Sequence, residues 1–154
     1  MSNWRVGVEH VVAITGLTHE GMGVGRIDNR VVFVPQAIPG DQVRLRLVHV
    51  KERLAYGELL RVVEPSPQRR APSCPHALLC GGCQLQHMDY AAQLRWKRQQ
   101  VVDALERLGG LEVEVLATLG MADPYHYRNK AQLPLGRQGG QLVMGFFQRG
   151  SHDI

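Results

Sequence analysis

The hydrophobic pattern of the chain changes period near its middle. From Gly7 to Glu64, β-branched runs at Val11 to Thr15, Val31 to Val34 and Val43 to Val50 are separated by glycine and proline signals, as expected for short strands. In the third run Val43, Leu45 and Leu47 alternate with Arg44 and Arg46, so a strand there buries the aliphatic set and turns both arginines outward. Ile38-Pro39-Gly40-Asp41 puts proline and glycine at the two centres of a type II turn, where proline presets φ and glycine accepts a positive one. Four or five strands over residues 1–65 are too few to bury both faces of an open sheet. They are expected to close into an all-β barrel of oligonucleotide-binding (OB) character.

Glu64-Pro65-Ser66-Pro67 ends the last strand and opens a linker, which places a domain boundary at residue 65. Beyond it the period becomes helical. Asp89 is an N-cap for a helix to Leu108, with Tyr90, Leu94, Val101, Leu105 and Leu108 on one face and Gly109-Gly110 as the stop. Strands are expected at Leu111 to Val115, Tyr127 to Leu135 and Gln141 to Gln148, the last two joined as a hairpin by Gly136 to Gly140. Residues 66–154 therefore read as an incomplete α+β domain.

With 44% hydrophobic and 21% charged residues, the 154-residue chain is an ordinary globular sequence, not a disordered or fibrous one. Its 18 Lys and Arg against 14 Asp and Glu allow a polyanionic partner without requiring one. No apolar run of about 18 residues is present to cross a membrane, and the first ten residues have no signal-peptide pattern, so a cytoplasmic location with no membrane partner is expected. Nothing in the sequence points to an obligate protein partner.

The sharpest chemical signal is Cys74-x5-Cys80-Gly81-Gly82-Cys83, which holds all three cysteines of the chain. Two thiols separated by glycines can converge on one centre while the longer arm returns the third. A metal is favoured over structural or catalytic thiols. On spacing alone two centres stand equal: a [4Fe-4S] cluster, which needs a fourth thiolate, and a Cys3His zinc site completed by His76 or His87. Gly21-Met22-Gly23-Val24-Gly25-Arg26 lacks the dinucleotide-binding spacing and leads into a strand, so its glycines are read as structural. Arg128 and Lys130 would share one face of a strand, and Lys97 sits in the basic run Arg95-Trp96-Lys97-Arg98; with Arg44 and Arg46 these are the candidate RNA contacts.

These motifs, in this order, resemble the RNA uracil-5-methyltransferases that carry an N-terminal TRAM domain and an iron–sulfur cluster. Gly23-Val24-Gly25-Arg26, Val32-Phe33-Val34-Pro35 and Ile38-Pro39-Gly40-Asp41 are similar to TRAM signatures. Cys80-Gly81-Gly82-Cys83-Gln84-Leu85-Gln86-His87 resembles the family's most specific motif, and Tyr127-Arg128-Asn129-Lys130 and Arg149-Gly150-Ser151-His152 resemble its downstream ones. The resemblance implies a TRAM barrel over residues 1–65 and a partial central domain over residues 66–154, with Cys74, Cys80 and Cys83 as three ligands of a [4Fe-4S] cluster. It further implies an enzyme that uses S-adenosylmethionine and acts on RNA, with 23S ribosomal RNA preferred over transfer RNA. The family's catalytic Rossmann-like domain, with its nucleophilic cysteine and general base, has no counterpart in these residues, so this segment alone is expected to be inactive. The competing expectation is a noncatalytic RNA-binding module with the zinc site.

Overall fold

The computed structural model describes residues 3–154, so two residues of the expected 1–65 barrel lie outside it. The described residues divide into two compact units, one ending at Ala71 and one beginning at Pro72.

The first unit is a closed five-stranded barrel. Strands β1 (Glu9–Leu17), β2 (Gly23–Ile27), β3 (Arg30–Val34), β4 (Gln42–Val50) and β5 (Leu54–Glu64) are ordered β1-β2-β3-β5-β4, with β4 returning to β1. All neighbours are antiparallel except β3 and β5, whose parallel pairing over Val31–Leu54, Val32–Ala55 and Phe33–Tyr56 closes the ring. Alternation fills the interior as the sequence predicts. Val12, Ile14, Val32, Val34, Val43, Leu45 and Leu47 point inward and are buried. The two strand glycines of the Gly21-to-Arg26 run have a steric role: a Cβ on Gly25 would lie 2.5 Å from Val12 Cγ1 and 2.9 Å from the Ala13 carbonyl, and one on Gly23 would lie 2.8 Å from the Ala37 carbonyl. Only glycine lets these strands approach so closely.

The expected turn at Ile38 to Asp41 forms, with φ of +90° at Gly40 and the Asp41 N–H donating to the Ile38 carbonyl at 3.1 Å. The side chain of Asp41 is fully buried beneath it. Its carboxylate accepts from the backbone N–H groups of Ile38 (2.8 Å) and Ser66 (2.9 Å) and from Arg69, whose Nη2 is 2.6 Å from Oδ2. Arg69 also donates to the Gln36 carbonyl at 2.7 Å. These bonds hold the segment after Glu64 against the barrel, through Arg69.

The second unit has one main helix, α1 (Tyr90–Asp103), whose N-cap Asp89 accepts from the Ala92 N–H at 3.1 Å. Its last expected turn is different: Ala104–Leu108 is π-helical, with the Gly109 N–H bonded to the Ala104 carbonyl. The apolar stripe expected on this helix is not a buried one, because Val101 is 48% and Leu108 is 88% exposed. Of the unit's apolar side chains only Met88 and Ala92 are buried.

The strand expected at residues 111–115 does not form, and that expected at residues 127–135 is reduced to its end, because no neighbouring strand among the described residues pairs with them. The hairpin is shorter than expected: β6 (Leu135–Gln138) and β7 (Gln141–Met144) are joined by Gly139 and Gly140 alone, at φ of +58° and +82°. Two positive φ values in a two-residue loop match the right-handed twist of the strands it joins.

Candidate functional site

Two regions carry the chemistry, the outer face of the barrel and the cysteine loop. On the barrel, Arg44 and Arg46 project outward from β4 as expected, but both have carboxylate neighbours. Arg44 lies 3.6 Å from Glu9, and Arg46 lies 3.3 Å from Glu9 and 3.7 Å from Glu58. Their charge is therefore partly neutralised along the β1-β4-β5 surface. These exposed pairs contribute little to stability.

In the second unit Lys97 is exposed on α1 beside the half-buried Trp96. Arg128 and Lys130 are exposed, but the strand that was to align them is absent: both lie on irregular backbone, with the Arg128 guanidinium 5.9 Å from the Tyr127 ring centroid. Their shared face, inferred from period-two alternation, does not exist here because alternation orients side chains only within a paired strand.

The cysteine loop is held by a contact the sequence did not signal. Arg149 Nη2 donates to the carbonyl oxygens of Ala77 (3.3 Å), Cys80 (3.3 Å) and Cys83 (2.7 Å). The Arg149 N–H donates to Leu79, the Gly81 N–H donates to Phe147, and Cys80 and Gln148 form an antiparallel bridge. Gly81 and Gly82 permit this packing, since a Cβ on Gly81 would lie 3.1 Å from the Phe147 carbonyl and one on Gly82 would lie 3.3 Å from the Cys80 sulfur.

Three soft thiols on one loop suit iron–sulfur or zinc by donor chemistry. Among the described residues no three His, Cys, Asp or Glu side chains gather to hold a metal ion. The sulfurs instead accept local bonds, Cys80 from the Gly82 N–H and Cys83 from the Gln86 amide, both at 3.3 Å. The ligand set expected from spacing is thus carried by one loop but not brought around a common point. His76 is exposed and His87 is buried, and neither joins such a group.

A five-stranded barrel of this strand order, joined to a cysteine loop, defines an OB-type module of the kind that binds oligonucleotides. Comparison with known proteins narrows the class. Residues 3–60 match the TRAM domain family. A protein named as an uncharacterized RNA methyltransferase from Halalkalibacterium halodurans is 48% identical over 144 residues, 93% of this chain and 31% of that protein. One of the same description from Thermosynechococcus vestitus is also 48% identical, over 100% of this chain and 34% of its own length. A Pyrococcus abyssi tRNA (uracil-54, C5)-methyltransferase, solved with S-adenosyl-L-homocysteine, aligns over 76% of this chain and 24% of its own at 32% identity and a TM-score of 0.42. The chain therefore carries a TRAM domain and is homologous, along nearly its whole length, to one portion of proteins named RNA methyltransferases. It spans about a third of the length of those curated relatives. No helix among the described residues is long and apolar enough to cross a membrane.

Proposed function

We propose that this chain is the N-terminal, RNA-holding portion of an S-adenosylmethionine-dependent RNA uracil-5-methyltransferase that acts on 23S ribosomal RNA in the cytoplasm. The single observation that carries the reading is 48% identity to proteins named RNA methyltransferases across almost the entire chain. The barrel supports it, because a TRAM domain of OB topology is suited to nucleic acid. Uracil-5 chemistry and the choice of ribosomal RNA follow from the motif resemblance, with Arg44, Arg46, Lys97, Arg128 and Lys130 as the cations that would meet phosphates. Methyl transfer itself belongs to a separate catalytic domain, and no residue here is assigned to the methyl donor.

In this reading the second unit is the start of an α+β central domain, and Cys74, Cys80 and Cys83 supply three thiolates to a [4Fe-4S] cluster. One feature favours a metal centre: the three thiols share a loop already tied down by Arg149, and metal binding there would supply folding free energy. The bound cluster would serve as a structural tie. Anaerobic purification is the test. Brown protein with stoichiometric iron and sulfide, both lost in Cys80→Ser, is the expected result. Colourless protein with one zinc ion would replace the cluster with a Cys3His site.

A further inference from the structure

A row of side chains crosses four strands on the outer face of the barrel. Val24 on β2 is the Cα partner of Phe33 on β3, Phe33 of Tyr56 on β5, and Tyr56 of His49 on β4. Paired positions project to one side of a sheet, and the adjacent Val32, Val34 and Ala55 are buried, so the row faces outward. The β4–β5 register shifts between Leu47 and His49. That irregularity leaves both Val48 and His49 exposed and sets the imidazole beside Tyr56. Ring centroids are 5.4 Å apart for Phe33 and Tyr56 and 6.0 Å apart for His49 and Tyr56. Three rings thus line up across β3, β5 and β4 without filling the interior.

The row ends near a cationic rim. Because β3 and β5 run parallel from their first residues, the β2–β3 and β4–β5 turns lie at the same end of the barrel, and the Val31 N–H bonds to the Arg53 carbonyl between them. Arg26, Arg30, Lys51 and Arg53 are gathered there against Asp28 and Glu52. None of the four cations is ion-paired among the described residues. The end is braced by Trp4, whose Nε1 donates to the Lys51 carbonyl at 2.8 Å and whose ring lies 5.1 Å from the Arg30 guanidinium.

We propose that Phe33, Tyr56 and His49 form a stacking platform for the bases of single-stranded RNA, with the cationic rim taking the adjoining phosphates. The proposal rests on the RNA-binding reading above and adds which surface the bases occupy. Part-exposed rings, tilted 40° and 54° to their neighbours, beside cations that have no ion pair among the described residues suit a strand that offers exposed bases and phosphates in alternation, and such stacking tolerates any sequence. The site is distinct from Arg44 and Arg46, whose charge is already shared with Glu9 and Glu58.

Binding of a fluorescent oligouridylate to the full chain, compared with an abasic ribose-phosphate strand of equal length, tests the platform. His49→Ala removes an exposed ring without opening the core. Tyr56→Leu keeps apolar cover but removes the stacking face, and thermal melts verify that both variants fold. Each should weaken oligouridylate binding about 5- to 30-fold, with the salt dependence unchanged and the abasic strand bound as before. Unchanged oligouridylate affinity, or an equal loss on the abasic strand, would remove the bases from this row while leaving RNA binding elsewhere intact. Wild-type protein that binds neither strand would overturn the RNA-binding reading itself, and the platform with it.

Discussion

Arg149 places one nitrogen 2.7 Å from the carbonyl oxygen of Cys83, a residue 66 positions earlier, and shares it with Ala77 and Cys80. A planar guanidinium in the midst of three carbonyls fixes the path of the loop rather than the orientation of any sulfur. Arg149→Ala removes the single nitrogen that the three carbonyls share. The Gly81 amide, bonded to Phe147, should then exchange with deuterium about tenfold faster, equivalent to one hydrogen bond. If the loop holds the proposed cluster, iron retained after anaerobic reconstitution should fall as well. Unaltered Gly81 protection would mean that the backbone bridge suffices to hold the loop.

The Asp41–Arg69 contact makes a stability prediction. Burial pushes the Asp41 carboxyl up, but the Arg69 hydrogen bonds, the Ser66 and Ile38 N–H groups and the Arg69 charge outweigh it and hold the group below its ordinary value of 3.8. A depressed folded value means the stabilisation is complete above the unfolded value and is lost as pH falls through the folded one. Arg69→Ala leaves a buried carboxylate without its cation and should cost the barrel about 3–5 kcal/mol, read from urea midpoints at pH 7. Asp41→Asn should lower Tm at pH 7 and flatten its fall below pH 3.8. An acid limb as steep as in the wild type would assign that limb to other carboxylates.

Gly25 and Gly16 both lie on the contact between β1 and β2 but differ in clearance. A methyl group at Gly25 meets Val12 Cγ1 at 2.5 Å and a backbone carbonyl at 2.9 Å, whereas at Gly16 the nearest atom is 3.6 Å away. Gly25→Ala should destabilise the barrel by about 1–3 kcal/mol through overpacking. Gly16→Ala should stay within about 0.5 kcal/mol of the wild type. Equal urea midpoints for the two variants would show that β1 can move aside.

The barrel was legible because its signals are local. Val43, Leu45 and Leu47 alternate against polar neighbours, and Pro39-Gly40 permits one kind of turn, so both could be read without knowing what they pack against. Arg69 and Arg149 gave no such signal. Each acts on a partner fixed by the fold, 28 positions away for Asp41 and 66 for Cys83, and an arginine in a linker or a terminal segment looks like any solvated one. The misjudged strands around Glu112 and Arg128 have the opposite cause. Alternation was present in sequence, but a strand is stabilised by its pairing, and these segments have no partner among the described residues. The cysteine spacing put the three thiols on one loop. It could not reveal that the Cys80 and Cys83 sulfurs turn to neighbouring N–H groups, since that depends on side-chain rotation and not on the spacing of the residues.

The three-residue junction of β3 with β5 governs how the first unit comes into being. Until residues 54–56 arrive, the meander β1 to β3 has an unsatisfied edge, ready to zip onto another nascent chain. Closure needs the fifth strand, so a chain ending before Leu54 keeps that sticky edge, and one that includes Glu64 can close into a ring with no free border.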